Sequence, residues 1–127
     1  EDSRINLIDS NDVIARKIKR CKTDAIRGLE WGNPDRPEAT NLLTLYQAVS
    51  GKSRPEIENE VSTLNWGSFK PILTEAVVNH VAPIREQYKL IQADQTYVRQ
   101  VLKEGQLTAS EIAEGTVSEV KQAMGII

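Results

Sequence analysis

The chain has little of what usually carries chemistry. It holds one cysteine, one histidine, one methionine and one phenylalanine in 127 residues. Cys21 has no partner for an internal disulfide, which fits a reducing setting. His80 has no second histidine or cysteine nearby in sequence with which to share a metal. No apolar run approaches the roughly 20 residues that span a bilayer. No tripartite leader opens the chain, which starts Glu1-Asp2-Ser3 without methionine, as expected of a fragment. The seven glycines are scattered and none follows a strand, so no phosphate-cradling loop is in sight. Glu56, Glu58 and Glu60 alternate at i and i+2, which sends them to different helix faces and makes them a solvated surface rather than a carboxylate pair. The formal net charge is −2, so the field of the whole molecule does not draw nucleic acid, and any RNA contact must be local. A cytoplasmic chain is expected, without membrane or DNA partner and without a catalytic, cofactor or metal site of its own.

What is present is helical periodicity. Ser10, Asn11 or Asp12 caps a first helix whose apolar positions Val13, Ile14, Ile18 and Cys21 share a face, and which should end near Thr23 or Asp24. Residues 25 to 36, with Gly28, Gly32 and Pro34, read as a loop. Pro37 sits in the first turn of a second helix with an Ala39, Leu42, Leu43, Tyr46 and Val49 stripe, ended by Gly51. Ser53 and Glu56 form a capping box around Pro55 and start a short helix to about Val61. Asn65 caps a long helix striped by Phe69, Ile72, Leu73, Ala76, Val77, His80, Val81, Ile84, Tyr88 and Ile91, with a kink expected at Pro83. Asp94 caps the last helix, whose stripe runs through Val98, Val101, Leu102, Gly105, Ala109, Ile112, Ala113, Thr116, Val117, Val120 and Met124 before Gly125 closes it. No segment shows sustained strand alternation. The expected fold is all-α, a single-domain bundle over residues 1–127. Its two long C-terminal helices should pack antiparallel, with the shorter helices laid across them.

On that frame His80 is expected to be a partly buried, hydrogen-bonded histidine and Cys21 a buried small hydrophobe. One charged feature stands out. Arg16, Lys17, Lys19, Arg20, Lys22 and Arg27 lie within fifteen residues that contain the single acid Asp24. Such a cluster is a footprint for a phosphate backbone, or only a solvated face that favours the dipole at a helix C-terminus. Trp31 in the adjoining loop is either an exposed indole able to stack on an unpaired base or a ring tucked over a core edge. Trp66, at a helix start, reads as structural.

Six strings, in order, carry a resemblance. They are Lys17-Ile18-Lys19-Arg20-Cys21-Lys22-Thr23-Asp24, Asn41-Leu42-Leu43-Thr44-Leu45-Tyr46, the helix start from Asn65 to Val78, Pro83-Ile84-Arg85-Glu86-Gln87-Tyr88, Leu102-Lys103-Glu104-Gly105 and Ala123-Met124-Gly125. Their order and spacing resemble the C-terminal helical region of bacterial-type tryptophanyl-tRNA synthetases, from about Ile5 to Met124. The approach Arg36-Pro37-Glu38-Ala39-Thr40-Asn41 is similar to cyanobacterial and plastid members.

The resemblance implies a class I synthetase, a dimer in which a Rossmann-type domain uses ATP and magnesium to activate tryptophan and transfers it to tRNA(Trp). The signatures of that chemistry, a HIGH-like motif and a KMSKS-like loop, are absent here. Ser3-Arg4-Ile5-Asn6-Leu7 resembles the stretch just after that loop, so the chain is expected to begin beyond it and to be inactive alone. The resemblance further implies anticodon binding through Lys22, Thr23, Asp24 and Arg27, with Asp24 accepting a cytosine amino group. Arg16, Lys19 and Arg20 would meet the RNA backbone, with Lys70 as a secondary contact. The competing expectation is a freestanding helical bundle that binds another protein through its apolar or acidic faces.

Overall fold

The computed structural model describes residues 3–126. Five α-helices follow one another: α1 Asn11–Arg20, α2 Pro37–Ser50, α3 Arg54–Val61, α4 Trp66–Ala93 and α5 Gln95–Ala123. Among the described residues there is no strand, so the all-α reading holds. The chain divides into two compact units, Glu1–Glu86 and Gln87–Ile127.

Local chemistry sets the helix ends of the first unit. The Ser10 hydroxyl accepts from the Val13 amide at 3.4 Å and caps α1. Pro37 stands in the first turn of α2, and Gly51 ends it in the left-handed region at φ 70°. The Ser53 amide donates to Glu56 at 2.8 Å, giving α3 its capping box. Asn65 Oδ1 accepts from the Ser68 amide at 3.0 Å and starts α4. That helix continues as one element through Pro71 and Pro83.

The core of this unit is built by Ile14 and Ile18 of α1, Leu42, Leu43 and Tyr46 of α2, Ile57 and Val61 of α3, and Phe69, Leu73 and Val77 of α4. Phe69 is fully buried, with the rings of Tyr46 and Trp66 set edge-on at centroid distances of 5.5 and 6.2 Å. Three buried cations lie around this apolar mass: Lys17, Arg36 and Arg85. Each has named acceptors, as burial of charge requires, and Arg85 has its counter-charge in Glu86 at 3.5 Å. Lys17 Nζ meets Asp9 at 2.6 Å. Arg85 donates to the Asp9 carbonyl at 2.6 Å and to Asn11 Oδ1 at 2.8 Å.

Several expectations need correction. α1 stops at Arg20, short of Thr23, because Cys21 takes an extended ψ of 134° and its carbonyl turns to the side chain of Lys70. Cys21 is half-buried, with its Sγ on the Lys17 carbonyl. His80 is exposed: the buried stripe of α4 runs Phe69, Leu73, Val77, Val81 and Arg85, one residue off the expected register at that point. Ile84, Tyr88 and Ile91 are exposed as well.

In the second unit, Asp94 Oδ1 accepts from the Tyr97 amide at 2.9 Å and caps α5 as expected. Apart from half-buried Val98, the expected stripe of α5, however, is exposed. No residue of this helix is buried, and Val101, Leu102, Ile112, Val117, Val120 and Met124 all stand open. Periodicity reports a face that could be covered, not that something within the chain covers it.

Candidate functional site

The exposed cations gather at the end of α1 and in the segment that follows. Arg16, Lys19 and Arg20 are exposed on the helix, and Lys22 and Arg27 are exposed beyond it, while Lys17 is turned inward to Asp9. Lys22 is 87% exposed and reaches Glu38 at 2.8 Å; this carboxylate holds the Lys22 pKa above its ordinary value. Thr23 and Asp24 are half-buried.

Asp24 does something the sequence did not suggest. Its Oδ2 accepts from Arg36 Nε at 2.8 Å, and its Oδ1 accepts from Arg36 Nη2 at 3.1 Å, the Ile26 amide at 2.8 Å and Trp66 Nε1 at 3.3 Å. The guanidinium of Arg36 is 3% exposed and also donates to the carbonyls of Gly28 at 2.9 Å and Ile26 at 3.4 Å. The Arg36 hydrogen bonds are the main reason that the Asp24 pKa falls from 3.8 to about 2, with the Ile26 amide and the Trp66 indole adding to it. Gly28 closes the arrangement. Its amide donates to the Leu64 carbonyl at 3.0 Å, its φ is 81°, and a Cβ there would come within 2.9 Å of the Ser62 carbonyl oxygen.

A carboxyl group whose pKa is lowered by folding stabilises the fold above its unfolded pKa, and that contribution is lost as pH falls through the folded value. The Asp24 contribution should therefore disappear between about pH 4 and pH 2. Asp9, Glu38 and Glu56 are also lowered and will steepen the acid limb. Urea midpoints compared at pH 6 and pH 3 should fall less in Asp24→Asn than in the parent chain. An identical fall in both would show that the Arg36 contact adds nothing to folding.

Lys70, expected as a secondary RNA contact, donates to the carbonyls of Lys19 at 3.0 Å and Cys21 at 2.8 Å. It caps the C-terminus of α1, where the helix dipole favours a cation. Beside it runs a recess of about 640 Å³ lined by Ala15, Lys19, Trp66, Lys70, Pro71 and Val78, among others. A second recess of about 360 Å³ is lined by Asp24, Ala25, Ile26, Arg27 and Asn65. Both touch Trp66 and Gly67, which places exposed Lys19 at one recess and exposed Arg27 at the other. Trp31 is committed to the fold: it packs half-buried against the core, donates to Thr44 at 3.2 Å and lies under the Arg54 guanidinium at 5.1 Å. Sequence reasoning missed Arg36 and Arg85. Periodicity scores apolar residues, and a cation on a buried face is legible only through the acceptors that surround it.

Among the described residues the structure is all-helical, and exposed cations cluster at the end of α1 and in the segment after it. The chain is 51% identical to the tryptophan–tRNA ligase of Thermosynechococcus vestitus over 125 residues, which is 98% of this chain and 38% of that protein. It is 47% identical to the chloroplastic/mitochondrial tryptophan–tRNA ligase of Arabidopsis thaliana, with 98% of this chain and 31% of the relative covered. Among solved structures, tryptophanyl-tRNA synthetase from Mycoplasma pneumoniae matches 98% of this chain and 39% of its own with a TM-score of 0.73, and at 24% identity it shows a shared fold. No family model matches. Along nearly its whole length the chain is similar to tryptophan–tRNA ligases, and it spans about a third of the length of those relatives.

Proposed function

We propose that this chain is the tRNA-gripping portion of a tryptophan–tRNA ligase, with residues 1–127 serving as one module that engages the anticodon arm of tRNA(Trp). In this reading, tryptophan, ATP and magnesium are handled by a nucleotide-binding domain elsewhere in a longer, dimeric, cytoplasmic polypeptide. The observation that carries the reading is the 51% identity to a tryptophan–tRNA ligase along nearly the whole chain. It favours this function over a freestanding protein-interaction bundle, which would have no reason to keep such similarity.

The physical chemistry fits. Anticodon bases are unpaired and available to side chains, and phosphates can be met by a local cluster in a chain of small negative net charge. Arg16, Lys19, Arg20, Lys22 and Arg27 are the backbone contacts in this reading, Thr23 and Asp24 belong to the segment that faces the bases, and Lys70 holds the end of α1 beside them.

Lys19→Ala and Arg27→Ala in the intact ligase should each raise the KM for tRNA(Trp) several-fold. Tryptophan-dependent pyrophosphate exchange, which needs no tRNA, should be unchanged. Each variant that loses one phosphate contact should also flatten the log–log salt dependence of tRNA binding by about 0.7–0.9. Unaltered KM and salt slope in both variants would remove the basic face from the mechanism.

A further inference from the structure

We propose that Asp24 and Arg36 act as a latch that sets the shape of the 24–28 loop for anticodon reading, so that Asp24 is a positioning residue rather than the group that contacts the base. The inference rests on the tRNA-binding reading above and changes the role that reading gives to Asp24.

An ionised carboxylate offers about four acceptor positions. Four donors already lie on Asp24, three of them on Oδ1: the Ile26 amide, Arg36 Nη2 and Trp66 Nε1. Its charge is met by a planar, two-pronged guanidinium that is itself buried. Oδ2 carries a single donor, Arg36 Nε at 2.8 Å, so a cytosine amino group would find there one remaining acceptor position, hard against the guanidinium that holds the loop.

The loop, by contrast, is held from within and open outside. One guanidinium ties Asp24, the Ile26 carbonyl and the Gly28 carbonyl together, and the Gly28 amide is fixed to Leu64. Ala25, Ile26 and Arg27 are exposed and line one recess with Trp66. Among the described residues the backbone groups of Ala25 and Arg27 have no hydrogen-bond partner. A peptide edge fixed in shape and left unpaired is suited to meet the edge of an unstacked base, with the Ile26 side chain, 57% exposed, offering an apolar face. Arg36 immediately precedes α2 and is buried, so the latch joins loop shape to the core.

A double-mutant cycle in the intact ligase tests the idea, with Asp24→Asn, Arg36→Gln, the double variant and Arg36→Lys as the set. Affinities are measured for a tRNA(Trp) transcript and for one with an altered anticodon. Asp24→Asn and Arg36→Gln should each cut the discrimination between the two transcripts by about tenfold, and the double variant should lose no more than either single one. Arg36→Lys keeps the charge but not the fork and should recover only part of the loss. The Ile26 and Gly28 amides should exchange faster in Arg36→Gln without RNA, which reads the latch independently of tRNA binding. Full discrimination in Arg36→Gln beside a loss in Asp24→Asn, or additive losses, would overturn the latch and restore Asp24 as the reader. If Lys19→Ala and Arg27→Ala leave tRNA binding intact, the tRNA reading falls and takes this proposal with it. If they weaken binding while the cycle is additive, only the latch falls.

Discussion

Phe69→Ala should destabilise the first unit by about 3–5 kcal/mol, the range for removing a fully buried aromatic ring. The value belongs near the upper end. Phe69 is 0% exposed and stands between the edges of Tyr46 and Trp66, so truncation removes two aromatic contacts besides its own burial. Tyr46 is held from its far side by Lys52 and Glu60, through its hydroxyl, and Trp66 by Asp24, through its indole nitrogen. Neither ring is free to swing into the gap, and a cavity that cannot collapse costs most. Urea unfolding followed by tryptophan fluorescence measures the change. A loss below about 1.5 kcal/mol would mean that the site relaxes and that the aromatic trio is not the centre of the core.

Arg85→Met should cost about 2–4 kcal/mol. The side chain is 8% exposed and lies at the start of α1, where the helix dipole disfavours a cation by roughly 0.3–1 kcal/mol. Its charge-assisted hydrogen bonds to the Asp9 carbonyl and Asn11 Oδ1, about 1.5–3 kcal/mol each, together with its ion pair to Glu86 at 3.5 Å, outweigh that penalty. The acceptors decide the sign. Arg85→Lys can serve only one of them and should fall between the parent and Arg85→Met. Equal stability of Arg85→Met and the parent would show that the Asp9 turn is satisfied by water and that Arg85 does not anchor it.

The helices were readable from sequence because their ends are local chemistry. Ser10, Pro37, Ser53 with Glu56, Asn65 and Asp94 each cap or open a helix where a short-range rule places them. The first misjudged end, Arg20 instead of Thr23, depends on Lys70, about fifty positions along the chain. His80 failed for a related reason. Arg85 occupies the inward register with Val77 and Val81, and periodicity alone does not foresee a cation there. The basic run was legible as composition in an acidic chain, and Arg16, Lys19, Arg20, Lys22 and Arg27 of that run are exposed. What could not be read was the division of labour inside that run, because Lys17, Asp24 and Lys70 are set apart from their neighbours by Asp9, Arg36 and two backbone carbonyls.

The open stripe of α5 bears on any calorimetric or solvent-denaturation curve recorded for these 127 residues. Heat capacity change and sensitivity to urea both scale with the surface newly wetted when a chain unravels. A helix of 29 residues with none buried contributes almost nothing to either quantity. The sharp part of such a curve therefore reports on Glu1–Glu86, and the melting of α5 is spread beneath it as a shallow, nearly linear baseline visible mainly in far-ultraviolet dichroism.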